Sequence, residues 1–358
     1  MNYVIINGVK STTIQGLLIS SLPPISKPLK RVTIEEIDGR DGDIVTDLGY
    51  SAYDRPMTIG LFGQYDVDRV IEYFDTSGTV IFSNEPDKFY NFEIIEQIDF
   101  ERLAKFKTAT VTFHCQPFKW SAVDDVFSIT KEKMDLRIWS KALDGVLVSV
   151  ENDVISVRGQ ATRNTEFYVP INPMPLEAKQ YTLSYASSGT GRDAVKMRVI
   201  ENNPTDEESF GGSELELVNS NTVTETLTEQ KTYNYIYFAI EQGTAMDFVL
   251  TIHMTDDTLS SFVVFNRGNH FARPKLTIYG SGNITISIND VLLFQIALGN
   301  LGYIVLDGQQ MNAYKGNTLL NRAVAGNYDN LRLKTRANVI SWTGNVNQMD
   351  VENVSRWT

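Results

Sequence analysis

The chain is nearly without cysteine and poor in histidine: of 358 residues, one is Cys and three are His. A single thiol excludes an intrachain disulfide, and the dispersed His114, His253 and His270 give no pair at zinc-ligand spacing. Positive charge is also scarce. Thirty-two Lys and Arg stand against 44 Asp and Glu, a formal charge of −12. That balance argues against a general nucleic-acid or anionic-membrane binder, because phosphate contacts need clustered Lys and Arg. No apolar run approaches the ~18 residues that a membrane helix needs. The apolar part of residues 1–8 is too short for a signal peptide, so synthesis in a cytoplasm is expected. There is no Gly-x-Ser-x-Gly elbow, and Gly280-Ser281-Gly282 lacks the strand-loop-helix setting of a phosphate loop.

What is present is strand material. Apolar residues make up 42% and aromatics 11%, with Val, Ile and Thr abundant, so strands are favoured over helices in a chain longer than one typical domain. Residues 1–125 read as a first unit. Within it, residues 30–61 carry two alternating runs (Val32, Ile34 and then Met57, Ile59, Leu61) around a middle rich in Gly and Asp. This pattern predicts a long hairpin, too polar at its centre for a core, that reaches out to lie on another subunit. A helix is predicted over 66–75, with Asp66 as cap and Val67, Val70, Ile71 and Phe74 on one buried face. Residues 141–255 are acidic, with 16 Asp and Glu against eight Lys and Arg, or −8 of the total −12. Short alternating segments recur there at 154–157, 181–185, 195–200, 214–218, 233–240 and 247–253, predicting an antiparallel sandwich.

Several blocks resemble the distal tail proteins of long-tailed (siphovirus-type) bacteriophages. They are Ile37-Asp38-Gly39-Arg40-Asp41-Gly42-Asp43, Ser83-Asn84-Glu85-Pro86-Asp87-Lys88-Phe89-Tyr90, Ile98-Asp99-Phe100-Glu101-Arg102 and Val111-Thr112-Phe113-His114-Cys115-Gln116-Pro117-Phe118-Lys119-Trp120. The later order is similar too: Phe265-Asn266-Arg267-Gly268-Asn269, Pro274 to Gly282, Ile304 to Gly308, Ile340 to Gly344 and the terminal Arg356-Trp357. The resemblance implies a mainly β protein. An N-terminal β-sandwich-like ring domain (1–125) would carry one helix and a long belt hairpin. A C-terminal galectin-like β-sandwich (126–140 and 256–358) would be interrupted by an inserted jelly-roll β-sandwich (141–255) similar to carbohydrate-binding modules. It also implies a homohexameric ring at the distal end of the virion tail. Its neighbours would be the tail tube protein, tape measure protein, tail-associated protein and a receptor-binding protein, with no cofactor. On this reading Asp38, Gly39, Arg40, Asp41 and Gly42 form a subunit contact.

The candidate chemistry is sparse. No catalytic set and no metal site is assigned, although an enzyme on the tail tip stays an alternative. Cys115 shares a strand face with Val111 and Phe113 and reads as core, which places His114 on the other face. Asp38, Asp41 and Asp43 fail the calcium-loop pattern, since Gly49 stands where its last carboxylate belongs. Asp206-Glu207-Glu208 reads as a solvated loop or a structural ion site. The positive feature is Tyr233-Asn234-Tyr235-Ile236-Tyr237-Phe238-Ala239-Ile240. Alternation puts Ile236, Phe238 and Ile240 in a core and Tyr233, Tyr235 and Tyr237 on the opposite face. There the rings can stack on a host cell-wall saccharide or form a packed aromatic ladder, and Trp139 can join that surface or seal the junction before residue 141.

Overall fold

The computed structural model of the protein describes all residues except 40, 104, 105, 124, 202–213, 218–220 and 228–230. The fold is mainly β, and among the described residues it has one α-helix, Val67–Phe74. The chain divides into two compact units, Met1–Ser128 with Ser261–Thr358, and Ile129–Ser260.

In the first unit a nine-stranded sheet runs in the order Val9–Lys10, Val4–Ile6, Ser77–Phe82, Lys88–Glu93, Phe106–Ser121, Tyr53–Leu61, Leu17–Ser21, with Glu101–Leu103 and Arg356–Trp357 pairing off this path with Phe106–Ser121. Its inward residues alternate along each strand: Met57, Ile59 and Leu61 on one, Val111, Phe113 and Cys115 on the next, all 0–1% exposed. Phe74, Phe82 and Phe92 surround Phe113 with ring centroids 5.1–6.3 Å away, mostly edge to face. The helix starts where Asp66 accepts from the backbone N–H groups of Asp68 and Arg69. Its buried face is Val70 and Phe74, with Val67 and Tyr73 packed beside them. Ile71, expected on that face, is 40% exposed.

The hairpin differs from expectation in its second arm. Lys30–Glu36 pairs with Asp43–Tyr50 and these two form a sheet of their own. Met57, Ile59 and Leu61 belong instead to Tyr53–Leu61, in the core sheet between Phe106–Ser121 and Leu17–Ser21. Fully apolar inward positions satisfied the core sheet better than an exposed ribbon. The true second arm, with Ile44 opposite Glu35 and Val45 opposite Ile34, was hidden by its Asp and Gly content.

Three long strands, Lys275–Ile288, Val291–Asp307 and Arg336–Asn353, organise the C-terminal part into an eight-stranded sheet. Their register shifts around Gly280, Gly282 and Gly299, while Lys275–Ile288 keeps Val291–Asp307 on one side and Arg336–Asn353 on the other along its whole length. Asp125–Thr130 joins this sheet at its edge beside Arg336–Asn353. The last strand, Arg356–Trp357, leaves it and pairs with Lys119 and Trp120 of the N-terminal sheet.

That pairing creates a joint. Lys119 Nζ lies 2.5 Å from Glu85 Oε1, and Tyr90 Oη donates to Glu85 Oε2 at 2.6 Å, all buried. Arg55, 1% exposed, stacks 4.2 Å from the Tyr90 ring and donates to the Pro24 carbonyl. Gly268 packs directly on the backbone of Arg356, where a Cβ would meet the Arg356 carbonyl oxygen at 2.1 Å.

Candidate functional site in the Ile129–Ser260 unit

The second unit packs a six-stranded sheet against a four-stranded one through a single apolar core. The six-stranded sheet runs Trp139–Leu143, Val146–Glu151, Val154–Gln160, Ala245–Thr255, Gln180–Thr190, Asn221–Thr226, and the four-stranded one Thr165–Leu176, Lys231–Ile240, Val195–Glu201, Leu215–Glu216. Thr165–Leu176 is unexpected as a strand because it holds Pro170, Pro173 and Pro175. Its ladder partner is Lys231–Ile240, with a register shift between Pro170 and Met174, and its other side makes only the single bridge Leu136–Ile171.

The alternation within Lys231–Ile240 is as expected: Ile236, Phe238 and Ile240 are 0–2% exposed in the core. The outward face is built in rows by register. Glu166, Ala239 and Lys196 form one row, Tyr168, Tyr237 and Arg198 the next, and Pro170, Tyr235 and Ile200, the last of them buried, the third. The tyrosines thus gain a third ring from the neighbouring strand. Tyr168 lies 5.5 Å from Tyr237 and 6.5 Å from Tyr235, centroid to centroid. Glu166 holds two of the phenols: Tyr237 Oη donates to its Oε1 at 2.9 Å and Tyr168 Oη to its Oε2 at 3.1 Å. Burial and these bonds to a carboxylate push the Tyr168 phenol up to about 12 and raise that of Tyr237 as well. Both therefore stay protonated donors at neutral pH. On the far side of the face, hydrogen bonds from Lys196 (2.8 Å) and Arg198 (2.9 Å) hold the Glu214 carboxyl below its usual range.

Beside the tyrosine face lies an open depression of about 950 Å³, whose lining includes Glu166, Tyr168, Lys196, Asp144, Arg163 and Glu241. Asp144 is fixed there by Thr165 Oγ1 (2.6 Å) and Arg163 Nε (2.7 Å), which keep its carboxyl low. Half-buried rings flanked by oriented carboxylates and cations suit a ligand with apolar ring faces and many hydroxyls.

The predicted residues are only partly brought together. Tyr235 and Tyr237 share the face. The backbone of Tyr233 lies opposite Met174 on the same strand, but its side chain lies outside the described residues. Trp139 sits elsewhere: it is on the edge strand of the opposing sheet, opposite Val150, and packs against the core. Glu166 and Tyr168 escaped notice because their strand is masked by prolines, although Phe167-Tyr168-Val169 already alternates.

The remaining candidates are dispersed. Asp38, Gly39, Asp41 and Gly42 are exposed at the hairpin turn, both glycines at φ +81°, and Arg40 lies outside the described residues. Asp206, Glu207 and Glu208 also lie outside them. Cys115 is fully buried and its thiol is pushed up to about 12 by burial. His114 Nδ1 is 2.7 Å from Asp54, and His253 Nδ1 is 3.0 Å from Glu132. Among the described residues no group of three or more metal-ligating side chains is placed to hold an ion, and no helix is long and apolar enough to cross a membrane.

The fold has a solved counterpart. Over the full length of both chains it is similar to the crystal structure of the Dit protein of phage SPP1, at a TM-score of 0.53 and 12% identity. That protein is a paradigm of the hub adsorption apparatus in phages that infect Gram-positive bacteria. A structure of infectious bursal disease virus overlaps 99% of this chain and 74% of its own at 9% identity, but its TM-score of 0.15 carries no weight. No protein-family profile and no curated protein sequence matches the chain. The chain therefore shares the fold of the SPP1 Dit protein, with little identity in sequence.

Proposed function

We propose that this chain is a structural hub protein of a phage tail tip. Six copies form a ring at the distal end of the tail, joining the tail tube to the adsorption apparatus. The tail tube, tape measure, tail-associated and receptor-binding proteins are its neighbours. The C-terminal strands act as the galectin-like domain of the family, and the Ile129–Ser260 unit is an inserted carbohydrate-binding module that grips host cell-wall saccharide. The full-length likeness to the SPP1 Dit fold is the observation that carries this reading. The free-standing hairpin supports it: Ile34, Val45 and Leu48 are each more than half exposed, on a ribbon with two open edges. The saccharide assignment rests on Tyr168, Tyr235, Tyr237 and Glu166. Function then follows from symmetry and surface, with no catalytic step, and six weak sites on one ring reinforce each other.

The ring is tested by light scattering and negative-stain averaging of the purified protein. A mass near six times the 40.3 kDa chain is expected. The site is tested by replacing Tyr168, Tyr235 and Tyr237 with Ala, which is expected to abolish binding to purified cell walls and to leave the ring mass unchanged. Undiminished binding would remove the saccharide assignment and leave the hub reading standing.

A further inference from the structure

The three tyrosine rings on the four-stranded sheet of the Ile129–Ser260 unit do not lie in one plane. Tyr168 stands edge-on to Tyr235, at 86° and 6.5 Å, and is tilted 49° from Tyr237 at 5.5 Å. Coplanar rings would offer a flat platform to the face of a pyranose. Rings set at angles form the walls of a cage, an arrangement that suits a cation. A negative charge sits at their edge. Glu166 accepts one phenol on each carboxylate oxygen and forms no ion pair among the described residues. Both phenols are neutral donors, so they orient the carboxylate without cancelling its charge. A carboxylate offers about four acceptor positions, so each oxygen keeps room for another donor.

The register leaves space beside that carboxylate. Glu166 stands opposite Ala239, which stands opposite Lys196. Ala239 contributes only a methyl group, and the Lys196 ammonium is drawn to the far side, 2.8 Å from Glu214 at the start of the next strand. Arg198, one row along beside Tyr237, is held by the same carboxylate at 2.9 Å. A notch above Ala239 therefore opens beside Glu166 and Tyr168 in the wall of the depression, whose lining includes all three. The charge of the depression is negative once its internal pairs are set aside. Arg163 is bound to Asp144 at 2.7 Å, and Lys196 to Glu214. What remains is Glu166, Asp193 and Glu241 against Lys141. Glu241 also lies close enough to steady the Lys196 ammonium.

We propose that the ligand of this site is a saccharide bearing a primary ammonium group, an amino sugar without its N-acetyl group, with the ammonium seated over Ala239 against Glu166 and among the tyrosine rings. The inference rests on the saccharide reading and adds to it the chemical class of the sugar. The ammonium donates to the open positions of Glu166 and faces the Tyr168 and Tyr237 rings. N-acetylation removes the charge and puts a bulkier neutral amide at the same atom, so the acetylated sugar loses the charge-assisted contact.

The test compares two probes by isothermal titration calorimetry on the full chain, in mildly acidic buffer where a sugar amine is protonated. They are the chitin tetramer and its fully deacetylated counterpart. The deacetylated tetramer is expected to bind roughly 10-fold more tightly or better, the value of one charge-assisted hydrogen bond. Glu166→Gln keeps the shape, removes the charge and is expected to bring the two affinities within about twofold of each other. Glu166 is exposed, so this variant is expected to keep the wild-type melting profile. Glu151→Gln neutralises an exposed carboxylate on the opposing sheet and is expected to leave the preference intact. It separates a seated ammonium from simple attraction to an acidic chain. Equal affinities, a preference for the acetylated tetramer, or no binding of either overturns the ammonium contact. So does a preference that survives Glu166→Gln or falls equally with Glu151→Gln. Purified cell walls then decide the reading beneath it. Walls still bound through Tyr168, Tyr235 and Tyr237 leave the saccharide assignment standing with a different sugar, and walls not bound remove both.

Discussion

Replacing Glu85 by Gln tests how the first unit is held together. The Glu85 and Lys119 side chains are 7% and 8% exposed and their charged atoms are 2.5 Å apart, while the second carboxylate oxygen accepts from Tyr90 Oη. An amide keeps the shape and removes the charge, which leaves the Lys119 ammonium buried without its counter-ion. Breaking a buried pair from one side costs about 3–5 kcal/mol. For a unit of this size that corresponds to a fall in melting temperature of roughly 6–20 °C. Scanning calorimetry measures it. Glu85→Leu with Lys119→Met should recover much of the loss, because removing both charges of a buried pair is often near neutral. A single variant that melts within 2 °C (about 0.5–1 kcal/mol) of wild type, or a double variant no better than the single, would refute the account. The pair also sets a pH response. Burial works to raise the Glu85 pKa, but hydrogen bonds from Lys119 and Tyr90 outweigh it and hold the carboxyl below its usual 4.5. The unfolded chain therefore takes up this proton first. The pair's contribution is full above about pH 4.5 and is lost as pH falls through the lower folded value, and Glu85→Gln should flatten that acid limb.

Two further outcomes follow from the geometry. Gly268→Ala should cost about 1–3 kcal/mol, the usual range for overpacking, because its Cβ would meet three backbone atoms of Arg356 within 3.0 Å. The loss should appear as faster carboxypeptidase digestion past Trp357, and an unchanged digestion rate would show that the last strand is not held there. Tyr168→Phe and Tyr237→Phe retain the rings and remove the phenol hydrogen bonds to Glu166, so each should weaken saccharide binding only about 2–10-fold, the value of one hydrogen bond. If Phe variants bind as poorly as Ala variants, the hydroxyls and not the stacking rings carry the contact.

Much of the fold was legible because alternation is a direct image of burial. Val111-Thr112-Phe113-His114-Cys115 and Tyr235 to Ile240 declared their inner faces without help. The helix cap at Asp66 was equally plain. Long-range choices were not. Nothing local distinguishes Met57-Thr58-Ile59 as a core strand from the same residues as a hairpin arm, since both are period-two. The decision lies with partners at 17–21 and 106–121. Thr165–Leu176 was obscured by its prolines, which a strand tolerates at a register shift and along a side with little pairing, and the candidate site lost Glu166 and Tyr168 with it. Trp139 was misplaced for a related reason: adjacency in sequence says nothing about which of two sheets a strand joins.

The pairing of Lys119 with Trp357 bears on the order of assembly during synthesis. Residues 129–260 are contiguous and can collapse as soon as they have been made. The N-terminal sheet is different, because a strand that completes it is supplied only when residue 357 is reached. Until then Phe118 and Trp120 lack the guanidinium that covers them in the finished protein. Contacts of such sequence separation form late and slowly. The chain thus builds its middle first and joins its two ends last, so an early truncation would leave residues 129–260 folded and the N-terminal sheet unfinished.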